Sequence, residues 1–151
     1  MDTLILKTQF EANFGLILKN LEGISAEESL IFPQNEANCV NWLLGHLIYS
    51  RNLVLKILGK NSVWNDEHFA FYGRYINAKD VTEKLIDFEL LKSYFQQTYK
   101  PLMDGLEQFE NQPKQYCRTF IFVTARDLSL WTNRVCSPIV RKRRYDKIVN
   151  F

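Results

Sequence analysis

Two histidines, His46 and His68, are the only imidazoles in a chain of 151 residues. His46 closes the run Trp42-Leu43-Leu44-Gly45-His46. An imidazole on an otherwise apolar segment is either a hydrogen-bonded core residue or a metal ligand, and the first is the commoner case. His68 follows Asp66 and Glu67, so three groups able to approach a divalent ion stand side by side. An exposed polar loop is the plainer reading of that cluster. The three cysteines, Cys39, Cys117 and Cys136, are odd in number and lack metal-ligand spacing. They read as reduced thiols of a cytoplasmic protein. A catalytic zinc site usually takes three protein ligands and keeps one open position. One imidazole does not make such a site, and the chemistry depends on what the rest of the fold brings to His46.

The elements that must position these residues are helical. Apolar residues make up 46% of the chain and charged residues 24%, the composition of an ordinary globular domain. A first helix is expected from about Thr3 to Leu21, where Leu4, Phe10, Phe14, Ile17, Leu18 and Leu21 recur at helical spacing and Gly23 follows as a stop. Ser25 and Glu28 have the form of a capping box. A polar connection, Pro33 to Asn38, leads to a second helix from about Val40 to Leu58, ended by Gly59. Lys60 to Lys79 shows no clear period yet carries Trp64, Phe69, Phe71, Tyr72 and Tyr75. So many aromatics in a loop predict that it folds back over the helices or covers a site. Asp80 reads as the N-cap of a long third helix to about Phe109, kinked or divided at Pro101. A fourth helix of poor pattern is expected over about Tyr116 to Val135. The fold class is therefore all-α, an antiparallel four-helix bundle with an aromatic-rich loop between its second and third helices. Residues 1–135 form the bundle and residues 136–151 a basic tail. Neither a membrane-length apolar run nor a secretory pattern is present, so a cytoplasmic location is expected.

The segment Asn38-Cys39-Val40-Asn41-Trp42-Leu43-Leu44-Gly45-His46-Leu47, followed by Arg51, resembles the second-helix motif of the DinB-like metal-binding family. Trp64 and Phe71-Tyr72-Gly73 resemble that family's next loop. The resemblance covers roughly residues 1–110, and its specific core is Trp-Leu-Leu-Gly-His. It implies a four-helix bundle, often a homodimer, that holds a divalent metal such as zinc or nickel. It further implies a metal-dependent hydrolase or a thiol-dependent transferase acting on a small molecule. His46 stands at the position of the first metal ligand. The family supplies two more histidines from its last helix, in a pattern similar to His-Glu-x-Tyr-His-x-Gly-Gln, on one helical face. The fourth segment here contains no histidine, which leaves His68, Asp66 and Glu67 as the less favoured additional ligands. As written, the metal site is incomplete.

The genetic code offers a cause. Read one base downstream, the codon sets compatible with Ala125 to Arg134 admit His-Glu-Thr-Tyr-His-x-Gly-Gln-x-Gly, in order and without gaps. The Ala125/Arg126 and Ser129/Leu130 junctions can encode histidine, and Trp131/Thr132 is forced to glycine because TGG followed by A leaves GGA. Further on, Val149/Asn150 can become a stop. The chain from somewhere within residues 110–125 onward thus reads as a frameshifted tail.

That reading bears on the charge. Net charge is +2, yet residues 136–151 hold Arg141, Lys142, Arg143, Arg144 and Lys147 against Asp146 alone, leaving the rest mildly acidic. The basic run could suit nucleic acid. A frameshift explains it without selection for charge, and a nucleic-acid partner is the least favoured expectation. A non-catalytic helical dimer or small-molecule binder is the main alternative to metal chemistry.

Overall fold

Apolar residues at three- and four-residue spacing build α1 (Thr3–Leu21), the first element of the computed structural model, which describes residues 3–33 and 38–109. Gly23 ends it, and the expected capping box then forms. The Ser25 hydroxyl accepts from the Glu28 amide at 3.2 Å, and the Glu28 carboxylate accepts from the Ser25 amide at 2.9 Å. This pair of bonds starts α2 (Ala26–Ser29). The second long helix, α3 (Val40–Ile57), ends as Gly59 takes φ +68°. There the Gly59 amide donates to Lys56 O at 3.0 Å and the Lys60 amide to Leu55 O at 2.8 Å. These bonds satisfy carbonyls that the helix end would leave open, and glycine accepts the left-handed backbone they require.

The long third helix expected from Asp80 is not what forms. Asp80 lies inside a 3-10 segment, Ala78–Lys84, whose cap is Asn77, and Val81 breaks the helical backbone at φ −122°, ψ 17°. Leu85 is extended, and the real cap is Asp87, whose carboxylate accepts from the Leu90 amide at 2.9 Å. From it run α4 (Phe88–Gln97) and α5 (Tyr99–Phe109). The division expected near Pro101 is present as a break at Thr98. Pro101 falls in the first turn of α5, where its missing N–H is least costly.

Among the described residues the protein is all-α, with no strand. α1 and α5 run antiparallel: Lys7 pairs with Glu107 at 2.9 Å, while farther along α1 Phe14 packs on Tyr99 with ring centroids 4.5 Å apart. Two apolar clusters result. One joins Leu6 and Phe10 of α1 to Val54 and Leu55 of α3 and to Leu102 and Leu106 of α5. The other joins Ile17 and Leu21 to Trp42, Leu44, Leu47 and Ile48, with Trp64, Tyr72, Phe88, Leu91 and Phe95. No described helix is long and apolar enough to cross a membrane. The expected fourth helix, the basic tail, Cys117 and Cys136 lie outside the described residues.

Candidate functional site

The chemistry-bearing residues of α3 share one face. Asn41, Trp42, Gly45, His46, Asn52 and Lys56 recur at helical intervals, and the chain between Gly59 and Tyr75 returns along them from the C-terminal end of the helix toward its start. The aromatic loop does fold back over the helices, as its composition predicted: Trp64 and Tyr72 are buried, and their rings stack 5.7 Å apart. Trp64 also packs on Phe69 at 4.6 Å and meets Tyr94 of α4 edge-on.

Gly45 makes this return possible. A Cβ built on it would stand 2.2 Å from the Tyr72 ring, a separation no side chain tolerates. The absent side chain is thus the slot that receives the ring. Around the slot every polar atom of Tyr72 is bonded. Its hydroxyl donates to Asn41 Oδ1 at 3.1 Å and accepts from the Ile86 amide at 3.1 Å. Asn41 Nδ2 in turn donates to Ile86 O at 2.9 Å. Burial pushes the Tyr72 phenol well above its ordinary pKa, so the hydroxyl stays protonated and can fill both roles. The thiol of Cys39, buried in the same cluster, is also pushed up by burial.

His46 lies beside this slot, 7% exposed, its ring stacked on Trp42 with centroids 4.9 Å apart. Its Nδ1 is 2.7 Å from Tyr72 O. A carbonyl can only accept, so Nδ1 carries the proton, and in the neutral ring the lone pair resides on Nε2. Trp42 Nε1 donates to the preceding carbonyl, Phe71 O, at 3.1 Å. Two successive carbonyls of the returning chain therefore orient the two rings of α3.

Asp66, Glu67 and His68 do not join His46. Asp66 is a half-buried hub at the other end of the returning chain. It accepts from Asn52 Nδ2 at 2.9 Å, Trp64 Nε1 at 3.0 Å and Ser62 Oγ at 3.2 Å, and pairs with Lys56. Burial works to raise its pKa, but the hydrogen bonds from Lys56, Asn52 and Ser62, with the charge of Lys56, outweigh burial and hold the carboxyl below its usual value. Such a carboxylate organises the loop. Glu67 and His68 are exposed and line an open depression of about 450 Å³ with Phe71, Lys84 and Ile86. Among the described residues, no three His, Cys, Asp or Glu side chains come together as a metal-ligand set.

Arg51 is buried one and a half turns beyond His46. Its guanidinium lies 4.2 Å from the Phe95 ring centroid and 5.6 Å from that of Phe14, and its Nη1 donates to Thr98 Oγ1 at 2.9 Å. The charge is thereby seated at the break between α4 and α5, where stacking on aromatic faces offsets part of its desolvation. Asn41 and Asn52 were not singled out from the sequence. The available signal was two amides on the loop-facing side of a helix otherwise rich in leucine and isoleucine.

Comparison of the chain with protein-family models, with curated proteins and with solved structures finds no match.

Proposed function

We propose that this protein is a DinB-like four-helix bundle, a scaffold for metal-dependent hydrolysis or thiol-dependent transfer, whose metal site is incomplete in the present chain. The observation that carries the reading is the hydrogen bond from His46 Nδ1 to Tyr72 O. Metal-binding histidines are generally held in this way, with one ring nitrogen donating to a carbonyl so that the other presents its lone pair. The Trp-Leu-Leu-Gly-His segment supports the same assignment. Zinc or nickel would need further ligands, and the described residues do not supply them. The absence of histidine after residue 68 is attributed to the shifted reading frame.

Elemental analysis tests this directly. The chain as it stands should purify with well under one equivalent of zinc or nickel. The same chain carrying the alternative frame from residues 110–125 onward, which includes Ala125→His and Ser129→His, should hold one equivalent and lose it on His46→Ala. A restored frame that binds no metal would overturn the family reading. Tight stoichiometric metal in the present chain, lost on His46→Ala, would overturn the incompleteness.

A second reading, a non-catalytic self-associating bundle, is favoured by the outer face of α1, where Leu4, Ile5 and Leu16 are 65%, 56% and 46% exposed. Sedimentation equilibrium distinguishes a homodimer from a monomer, and Leu16→Glu should dissociate a dimer formed on this face.

A further inference from the structure

Asn41 stands more than a turn before His46 on α3 and is 2% exposed. A buried amide needs partners at both its ends, and those partners settle which way it points. Ile86 O can only accept, so the atom 2.9 Å from it is Nδ2. Oδ1 therefore faces the Tyr72 hydroxyl at 3.1 Å, and the hydroxyl must donate to it. The hydroxyl oxygen is left to accept from the Ile86 amide at 3.1 Å. Three hydrogen bonds thus close a ring through Asn41, Tyr72 and Ile86, each with a single possible polarity.

This ring anchors one end of Tyr72, and His46 meets the other. The Tyr72 side chain lies in the Gly45 slot, between Asn41 and His46 along α3. Its backbone carbonyl oxygen is 2.7 Å from His46 Nδ1. That carbonyl shares a planar trans peptide with the Gly73 amide and points away from it. The Gly73 amide donates to Ala70 O at 2.8 Å, and the Tyr72 amide to Phe69 O at 3.0 Å. These two bonds fix the direction of the carbonyl within its own turn. They do not fix how far the turn stands from α3. Trp42 Nε1, bonded to Phe71 O, and the anchored Tyr72 side chain do that.

We propose that Asn41 is a positioning residue for His46, acting through the anchored Tyr72 side chain to keep the imidazole proton on Nδ1. With the anchor in place, Tyr72 O stays within hydrogen-bond distance, and only the Nδ1–H tautomer can bond to it. With the anchor cut, the carbonyl draws back and the Nε2–H tautomer competes. The inference deepens the reading of His46 as a metal ligand and takes its functional meaning from it. Nε2 offers its lone pair to a metal only while Nδ1 holds the proton. The tautomer itself requires no metal.

Ring nitrogen-15 shifts report the tautomer directly. They are measured on the full chain, stripped with a chelator and held at about pH 8, where an ordinary imidazole is neutral. His46 and His68 are the only histidines, so two sets of signals are expected. His46 should be the Nδ1–H form. Asn41→Leu and Tyr72→Phe should each raise its Nε2–H fraction about fivefold, the order of one neutral hydrogen bond. The double variant should go no further than Tyr72→Phe alone, because both act on one anchor. Leu102→Ala, destabilising but set in the other apolar cluster, should leave the ratio unchanged. An Nε2–H ring in the unsubstituted chain would overturn the proposal. So would an unchanged ratio in either variant that folds, or an equal shift in Leu102→Ala, which would make the effect general loosening. An unchanged ratio leaves the metal reading intact, whereas a restored frame that binds no metal overturns that reading and not this one.

Discussion

The two ends of the helical stack are made of different material. Leu6, Phe10, Val54, Leu55, Leu102 and Leu106 close one end with aliphatic and aromatic side chains that offer nothing to bond. The other end is just as buried, yet threads Asn41, His46, Tyr72 and the Trp42 indole through its core, each bonded to a named partner. An apolar end tolerates small shifts, because dispersion and hydrophobic burial are not directional. A polar end does not, because each buried donor or acceptor that loses its partner bears its full desolvation cost. The contrast locates the part of the molecule where geometry, and not mere exclusion of water, is specified. That part holds the only described histidine in the core.

Truncation at the apolar end should give the largest effect and the least informative one. Leu102→Ala should cost about 3 kcal/mol by urea denaturation while the tryptophan emission of the folded state, to which Trp42 and Trp64 of the other end contribute, stays where it is. A shifted emission would show that the two ends are coupled. Gly45→Ala at the polar end adds one carbon and should still cost about 2 kcal/mol, since overpacking against the Tyr72 ring outweighs the roughly 1 kcal/mol gained in helix propensity. Gly15 provides the control. Nothing lies within 4 Å of a Cβ there, and Gly15→Ala should stabilise by about 0.5–1 kcal/mol. Equal effects at the two glycines would remove the case for a slot.

Tyr72→Phe keeps the ring and deletes the hydroxyl, leaving Asn41 Oδ1 and the Ile86 amide without that partner. A loss of about 1–2 kcal/mol is expected. Because the phenol's pKa is raised in the folded state, this tyrosine also makes stability fall as pH rises above the ordinary tyrosine value of about 10. The variant should lose that part of the alkaline slope, and an unchanged slope would mean that the hydroxyl is not sealed.

The smallest effect belongs to Asp66. Its folded pKa is lowered, so its contribution is present above the unfolded carboxylate value of about 4 and is lost as pH falls through the lower folded value. Carboxyl titration followed by NMR should find Asp66 ionising below the ordinary aspartate value, and Lys56→Met should bring its pKa upward. An Asp66 that titrates at the ordinary value would deny it the role of the loop's hub.

The sequence by itself determined what depends on local physical chemistry. Helical spacing defined α1 from Thr3 to Leu21, Ser25 and Glu28 announced their capping box, and Gly59 marked the end of α3. Aromatic density said that the loop would fold back. Tertiary structure decided the rest. Asp80 and Asp87 are equally good caps in isolation, and the choice fell to Asp87 because Ile86, with both its amide and its carbonyl held at the Tyr72–Asn41 contact, is not free to be helical. Asp66 read as part of an exposed acidic cluster, and became a hub only because Asn52 and Lys56 lie one turn apart on the helix beneath it. That a tyrosine ring fills the Gly45 slot, and that its carbonyl sets the His46 proton, are contacts between residues 26 or 27 positions apart. Local spacing carries no signal for such pairs, since they exist only once the chain after Gly59 has been laid along α3.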